Sequence, residues 1–338
     1  MCDPASGVSW AGLTWEAKLA EALYARIARD AALRPLFPGK SHRCAIEAFA
    51  AFLVQFFDGP PEQTRKRWYV SLRESHARFR IDEPNRAAWM RCMTLALADA
   101  DIPEPLRSRL HEVFLHSSGY LVNDAPTSDA PPITDPEMAK RWERQRTFDQ
   151  AVDAIRTGDT NTATHLANVL GAPVRLLALM VRSRHPILRQ YVKEKVSAQP
   201  ALVHEHAADR TLLQEASSQG DFELVELLLR FGAEANQKGN RPPLYCLANE
   251  CQGTGGGPVV HLLVRHGAQV NRADNVKRCT ALHMAARRGN VEIATALLDC
   301  GADIHARDSD GVTPLRRALN CRKPAVAELL VQRGAHHL

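Results

Sequence analysis

The chain has 338 residues, with 43 Lys and Arg, 38 Asp and Glu, and a formal net charge of +5. Apolar residues make up 45% and charged residues 24%, which is typical of globular proteins and excludes a mostly disordered chain. No apolar run reaches the roughly 18 residues of a membrane-spanning helix, and the N-terminus lacks the pattern of a secretory signal. The small, dispersed positive excess does not indicate a nucleic-acid partner.

The eight cysteines show no metal-binding or haem-attachment pattern. None forms a Cys-x-x-Cys pair, and none alternates with histidine at zinc-ligand spacing. Reduced thiols, most of them buried as small apolar residues, are therefore expected. Together with the missing secretory signal, this pattern predicts a cytoplasmic protein without a membrane partner.

The first 124 residues read as helices only. Apolar residues with helical spacing predict helices over 15–32, 44–57 and 86–100, and a fourth that starts at Pro105. The first of these places Leu19, Leu23 and Ile27 on one face. Since no stretch alternates with a period of two, we expect an all-α fold.

A proline-rich segment follows this helical half. Residues 124–137 read DAPTSDAPPITDPE, with four prolines and no apolar periodicity. Such composition is typical of a stiff, extended spacer. We therefore predict a first domain at 1–124, a linker at 125–137 and a second domain at 138–338.

The second domain repeats itself. Gly-Ala pairs begin at 232, 267, 301 and 334, and each closes an apolar run with helical spacing. Glycine there ends a helix in the left-handed conformation without a Cβ penalty. The period, with starts such as Thr280-Ala281-Leu282-His283 and Thr313-Pro314-Leu315, resembles ankyrin repeats. The resemblance implies an α-solenoid that binds a protein partner, with four clear units from about residue 209 and two degenerate units before them.

For two features of the repeats, a ligand-binding role is the alternative to a structural one. The glycine-rich stretch 252–258 is expected to be a surface loop, although such a run can also cradle phosphate. It lacks the Lys-Ser/Thr that follows in a P-loop. His283 is expected to hydrogen-bond backbone between neighbouring loops, with metal ligation as the alternative.

Five separated motifs in the first domain resemble the second group of truncated haemoglobins, over residues 13 to about 123. They are Leu23-Tyr24-Ala25-Arg26-Ile27, Asp30-x-x-Leu33-x-x-x-Phe37-Pro38, Phe52-Leu53-x-Gln55-Phe56-Phe57-x-Gly59-Pro60, Leu72-Arg73-x-x-His76-x-x-Phe79-x-Ile81 and Arg86-x-x-Trp89-x-x-Cys92-Met93. The resemblance implies a truncated two-over-two helical globin that holds haem b. Covalent attachment is not expected, because Cys-x-x-Cys-His is absent.

On the proximal side the resemblance implies that His76 holds the iron. Its second ring nitrogen should donate to a backbone carbonyl or a nearby polar group, which fixes the tautomer. Phe79 belongs to the same motif and also serves core packing. Ser75 stands where many relatives have a propionate-binding arginine, so Arg73 or Arg78 is expected to replace it.

On the distal side, the resemblance makes Tyr24 and Trp89 hydrogen-bond donors to an iron-bound ligand. Phe37 stacks on the haem where many relatives have a tyrosine, and Phe49 faces the iron. Ala45 stands where other globins have the distal histidine, and its small side chain leaves an opening. His42 is an alternative sixth ligand.

The domain pairing suggests three functions. In the first, the globin half reversibly binds oxygen, nitric oxide or carbon monoxide, and ligation alters protein binding by the repeats, as a gas- or redox-responsive interaction protein. In the second, the chain is a haem enzyme, a nitric oxide dioxygenase or peroxidase-like, with an external reductase. In the third, the globin half has lost haem; the intact set of Tyr24, His76 and Trp89 argues against this.

Overall fold

A computed structural model describes residues 15–37, 42–57, 72, 76, 79–124, 133–207, 210–236 and 241–336. The regular elements of this described part are helices, apart from one two-stranded hairpin. The chain divides into two compact units: the first holds residues 1–154 and 165–171, and the second holds 155–164 and 172–338. Among the described residues, no helix is long and apolar enough to cross a membrane.

Six α-helices of the N-terminal part lie within the described residues. They are α1 (Trp15–Ile27), α2 (Arg43–Phe56), α3 (Glu83–Asp99), α4 (Leu106–Tyr120), α5 (Pro136–Thr157) and α6 (Thr160–Val169), with a 3-10 turn at Arg34–Leu36 between α1 and α2. Helix α1 packs against α2 and α3, and α3 packs against α4. Leu72 and His76 also have helical conformation.

Helix α1 ends five residues before the predicted end of the first helix. The Asp30 carboxylate accepts hydrogen bonds from the backbone N–H groups of Ala32 (2.9 Å) and Leu33 (3.0 Å). An aspartate that bonds the backbone two or three residues ahead favours a turn over a continued helix. The chain therefore turns into the 3-10 segment and brings Phe37 back towards α1.

The helical apolar stripes meet in one core. Leu19, Leu23 and Ile27 of α1 are buried, as the sequence predicts. The other large side chains of this core are Leu33, Leu53, Met90, Met93, Leu97, Ile102, Leu110 and Phe114. A second, smaller cluster joins α5 to the same unit, where Met138 and Trp142 pack with Phe56 and Val113.

Polar contacts also hold α5 against the first unit. The Arg141 guanidinium donates to the carbonyl of Phe56 (2.9 Å), and its carbon lies 5.6 Å from the ring centroid of Phe57. Helix α5, as far as Ala154, therefore belongs to the first compact unit. The sequence analysis instead placed the domain boundary at a linker over 125–137. The proline-rich composition could not reveal this packing, because it depends on side chains far away in the chain.

The second unit is a stack of helix pairs. The pairs are α7 (Val174–Ser183) with α8 (Pro186–Ala198), α9 (Leu212–Gln219) with α10 (Phe222–Arg230), α11 (Pro243–Glu250) with α12 (Gly256–Arg265), α13 (Ala281–Arg288) with α14 (Val291–Asp299), and α15 (Pro314–Asn320) with α16 (Pro324–Gln332). A 3-10 turn at Pro200–His204 and an antiparallel hairpin of β1 (His206–Ala207) and β2 (Arg210–Thr211) join the first two pairs. Each helix also packs on its counterpart in the next pair, which makes the stack a solenoid.

The predicted helix ends at the Gly-Ala pairs are confirmed. Gly232, Gly267, Gly301 and Gly334 have φ between +84° and +97°. In each pair the alanine N–H bonds the carbonyl five residues earlier at 2.9–3.0 Å. Glycine adopts this left-handed conformation at no steric cost, so it stops each second helix at the same point of the repeat.

We expect Trp142→Ala to lower the free energy of unfolding of the first unit by about 3 kcal/mol, because it empties a buried aromatic site. Trp142→Phe should cost less. It keeps most of the apolar contact and removes an indole N–H that has no hydrogen-bond partner among the described residues. Guanidinium unfolding followed by circular dichroism measures both effects. Lys140→Ala, on the exposed side of α5, is the control and should change little; equal losses in all three variants would contradict the packing.

Candidate functional site

The predicted site residues of the first unit come from five places in the chain. Tyr24 lies on α1, Phe37 follows the 3-10 turn, and Ala45 and Phe49 lie on α2. Trp89 lies on α3, and His76 and Phe79 precede that helix. Arg73, Arg78 and Ser75 lie outside the described residues.

One group of these side chains forms a continuous row of rings. The imidazole of His76 lies 6.4 Å from Phe79, Phe79 lies 5.6 Å from Phe37, and Phe37 meets Tyr24 edge-on at 5.5 Å, measured between ring centroids. The row joins the proximal motif to α1. The structure thus connects the histidine and the tyrosine that the sequence placed on opposite sides of a ligand.

Phe49 and Trp89 meet through a third ring. Each lies 5.9 Å from Phe114 of α4, Trp89 edge-on and Phe49 tilted. Tyr24, Phe37, Phe49 and Trp89 all pack against the same core of buried residues. The two groups therefore belong to one apolar region.

None of these side chains is fully buried. Tyr24, Phe37, Ala45, Phe49, His76, Phe79 and Trp89 are all half-buried, although large aromatic residues dominate core packing elsewhere. Concentrated, partly uncovered apolar surface with a few polar atoms is typical of a ligand site. The arrangement leaves aromatic area that a flat apolar ligand would cover.

His76 has a defined tautomer. Its Nδ1 lies 2.8 Å from the carbonyl oxygen of Leu72, one helical turn earlier. A carbonyl only accepts hydrogen bonds, so Nδ1 carries the proton and donates. The lone pair is therefore on Nε2, the nitrogen with which such a histidine binds a metal.

His42 places a second imidazole in the same region. Its ring lies 5.9 Å from Tyr24 and 6.0 Å from Phe37, at the N-terminal end of α2. Its Nε2 is buried and has no hydrogen-bond partner among the described residues. Since buried polar atoms are normally satisfied, an orphaned nitrogen beside Tyr24 indicates a missing partner.

Asp149 is a buried residue of this region that the sequence analysis missed. Its carboxylate on α5 is fully buried and accepts a hydrogen bond from the backbone N–H of Leu72 (3.0 Å). Asp149 shares the buried face of α5 with Met138, Trp142, Gln145 and Val152. Because Gln145 and Asp149 are polar, the apolar pattern of the sequence does not mark their burial. The predicted domain boundary assigned that face to the repeats.

The glycine-rich loop of the repeats is explained by packing. The Glu292 carboxylate of α14 accepts hydrogen bonds from the N–H groups of Gly255 (3.1 Å) and Gly257 (2.9 Å) at the start of α12. A Cβ at Gly256 would lie 2.6 Å from the Ile293 side chain. A protein carboxylate thus binds the donors that a phosphate would need, and the glycines permit close approach.

His283 has the structural role that the sequence analysis expected. It is fully buried; Nδ1 accepts from the N–H of Thr280 (3.2 Å) and Nε2 donates to the carbonyl of Val312 (2.9 Å). The Val312 bond joins neighbouring repeats. Burial lowers the pKa of His283, more than the Val312 bond and the charge of Asp308 raise it.

Comparison with known families identifies both halves. Residues 13–120 match the family model of bacterial-like globins. Residues 208–240 match an ankyrin repeat, and residues 251–338 match ankyrin repeats in three copies. The chain therefore carries a bacterial-like globin domain followed by ankyrin repeats, which confirms the fused architecture and the all-α fold.

Two curated relatives match short stretches of the chain. Protein fem-1 homolog C of Danio rerio is 32% identical over 63 residues, which are 19% of this chain and 10% of that protein. Protein phosphatase 1 regulatory subunit 27 of Mus musculus is 46% identical over 55 residues, 16% of this chain and 36% of that protein. The match therefore spans about a third of the length of the second relative and a tenth of the first.

We expect Glu292→Ala to lower the free energy of unfolding of the repeats by about 1 kcal/mol, the usual cost of losing a side chain that caps a helix N-terminus. Urea unfolding of the full chain measures the loss. Glu226→Ala removes an exposed carboxylate from α10 and is the matched control. A destabilisation no larger than that of the control would contradict the capping role.

We expect the free energy of unfolding of the repeats to decrease as the pH is lowered below about 6.5, the ordinary pKa of histidine. Because the folded-state pKa of His283 is lowered, the unfolded chain binds the proton more readily than the folded one, so acid favours unfolding. His283→Gln should flatten the change in free energy of unfolding between pH 7.5 and 5.5. His266→Gln, at an exposed position, should keep the parental slope; identical slopes in all three proteins would contradict the assignment.

Proposed function

We propose that the globin domain binds haem b non-covalently, with His76 as the iron ligand. The observation that carries the proposal is the hydrogen bond from His76 Nδ1 to the Leu72 carbonyl, which orients the ring and makes Nε2 the nitrogen that would ligate the iron. The half-buried aromatic side chains around it fit a flat apolar group. The orphaned Nε2 of His42, beside Tyr24, would accommodate a polar ligand.

The bound haem supplies an iron that takes diatomic ligands. Tyr24 and Trp89 contribute a hydroxyl and an indole N–H, the donor types that stabilise the partial negative charge of bound oxygen. Phe37, Phe49 and Phe79 supply apolar walls, and Ala45 on α2 keeps the side chain small where a ligand enters. Arg73 is proposed as a partner for a haem propionate.

The proposed physiological role is reversible binding of oxygen, nitric oxide or carbon monoxide, coupled to the ankyrin repeats. Ankyrin stacks bind proteins and carry no chemistry of their own. The chain is accordingly proposed to act in the cytoplasm as a gas- or redox-responsive interaction protein whose partner affinity depends on the ligation state of the globin domain. The partner is a protein that the repeats select.

The test compares visible absorption spectra of the full chain and of His76→Ala after incubation with haem. The parent should bind haem stoichiometrically, with a Soret band that shifts on addition of carbon monoxide to the reduced protein. The variant should lose this band or change it strongly. His111→Ala is the matched control: this histidine bonds Thr94 on α3 (3.1 Å) and its loss should leave the spectrum unchanged.

A parental protein without stoichiometric haem would overturn the proposal. His42→Leu adds a further distinction within the same assay. If His42 holds the sixth position, the reduced parent shows a six-coordinate spectrum without added ligand, and the variant becomes five-coordinate. Nitric oxide or peroxide turnover that disappears in Tyr24→Phe and Trp89→Phe would identify the alternative function, a haem enzyme supplied by an external reductase.

A further inference from the structure

The buried carboxylate of Asp149 holds the helical turn that carries His76. Its Oδ1 accepts hydrogen bonds from the backbone N–H of Leu72 (3.0 Å) and from the Gln145 amide (2.9 Å). Asp149 is fully buried. A buried carboxylate is very costly without hydrogen-bond donors, so the folded state strongly favours keeping Leu72 N–H at this position.

Leu72 also orients the imidazole. Its carbonyl oxygen is the acceptor for His76 Nδ1 at 2.8 Å. One residue therefore joins the carboxylate, through its N–H, to the histidine, through its C=O. A displacement of Leu72 changes the angle and position of the ring that it holds.

The side chain of Leu72 adds a second anchor on the same helix. It packs against the cluster of Phe56, Val113, Met138 and Trp142. Met138 and Trp142 belong to α5, as Asp149 does. The position of Leu72 is thus set by α5 through both the hydrogen bond to Asp149 and apolar contact.

We infer that Asp149 is a positioning residue for His76, acting through Leu72. The inference rests on the proposed function, in which His76 holds the haem iron. Asp149 lies beyond the segment that matches the globin family, residues 13–120. Part of the proximal support of the site therefore comes from the helix that leads towards the repeats.

The test uses the full-length protein loaded with haem and reduced. Resonance Raman spectroscopy gives the iron–histidine stretching band, which reports the orientation and hydrogen bonding of the ligand histidine. Asp149→Leu should shift and broaden this band, and Asp149→Asn, which keeps an acceptor oxygen, should return it towards the parental position. Val152→Ala removes buried apolar volume from the same helix and should leave the band in place.

Hydrogen–deuterium exchange of the Leu72 amide tests the anchor without haem. Loss of a hydrogen bond to a charged acceptor should speed exchange by about tenfold or more in Asp149→Leu. If that variant does not fold, Gln145→Met should produce a smaller change in the same direction, because it removes the second donor to Asp149.

An unchanged iron–histidine band in a haem-loaded Asp149→Leu protein would overturn the inference, as would unchanged protection of the Leu72 amide. Failure of the proposed function looks different. In that case the parental protein shows no band that depends on His76, while the exchange experiment still decides whether Asp149 anchors Leu72.

Discussion

Each α-helix in the described part of the chain buries apolar side chains in the interior of the fold. Isolated helices of this length are marginal in water, and most of their stability comes from packing. In the repeats each helix packs on its counterpart in the next pair, so the same packing arrangement recurs along the stack. In the first unit the helices differ, and the core of α1–α4 is completed by α5, which places Met138 and Trp142 on Phe56 and Val113.

At the candidate site the burial of aromatic side chains is incomplete. Seven predicted side chains, from Tyr24 to Trp89, are half-buried although six of them are rings that could fill a core. His76 is oriented by the Leu72 carbonyl, and Leu72 is held by Asp149. A rigid, hydrogen-bonded histidine beside uncovered aromatic surface is an arrangement that a packed core alone does not require.

Four polar side chains show how the fold is specified. Asp30 ends α1, Glu292 caps α12, His283 joins two repeats, and Asp149 holds Leu72. The two fully buried ones, His283 and Asp149, have hydrogen-bond partners, as burial demands. Asp30 acts within a few residues, whereas the other three reach partners 29 to 77 positions away.

The distance along the chain between interacting residues separates what the sequence determined from what the tertiary structure decided. The helical periodicity, the Gly-Ala helix ends and the globin motifs are local signals, so the all-α fold and the fused globin–ankyrin architecture could be predicted from them. The packing of α5 on the first unit, the capture of the glycine-rich loop by Glu292 and the contact of Asp149 with Leu72 could not. They depend on which side chains meet after folding, and a hydrogen bond or apolar contact between residues far apart in the chain leaves no spacing in the sequence to reveal it.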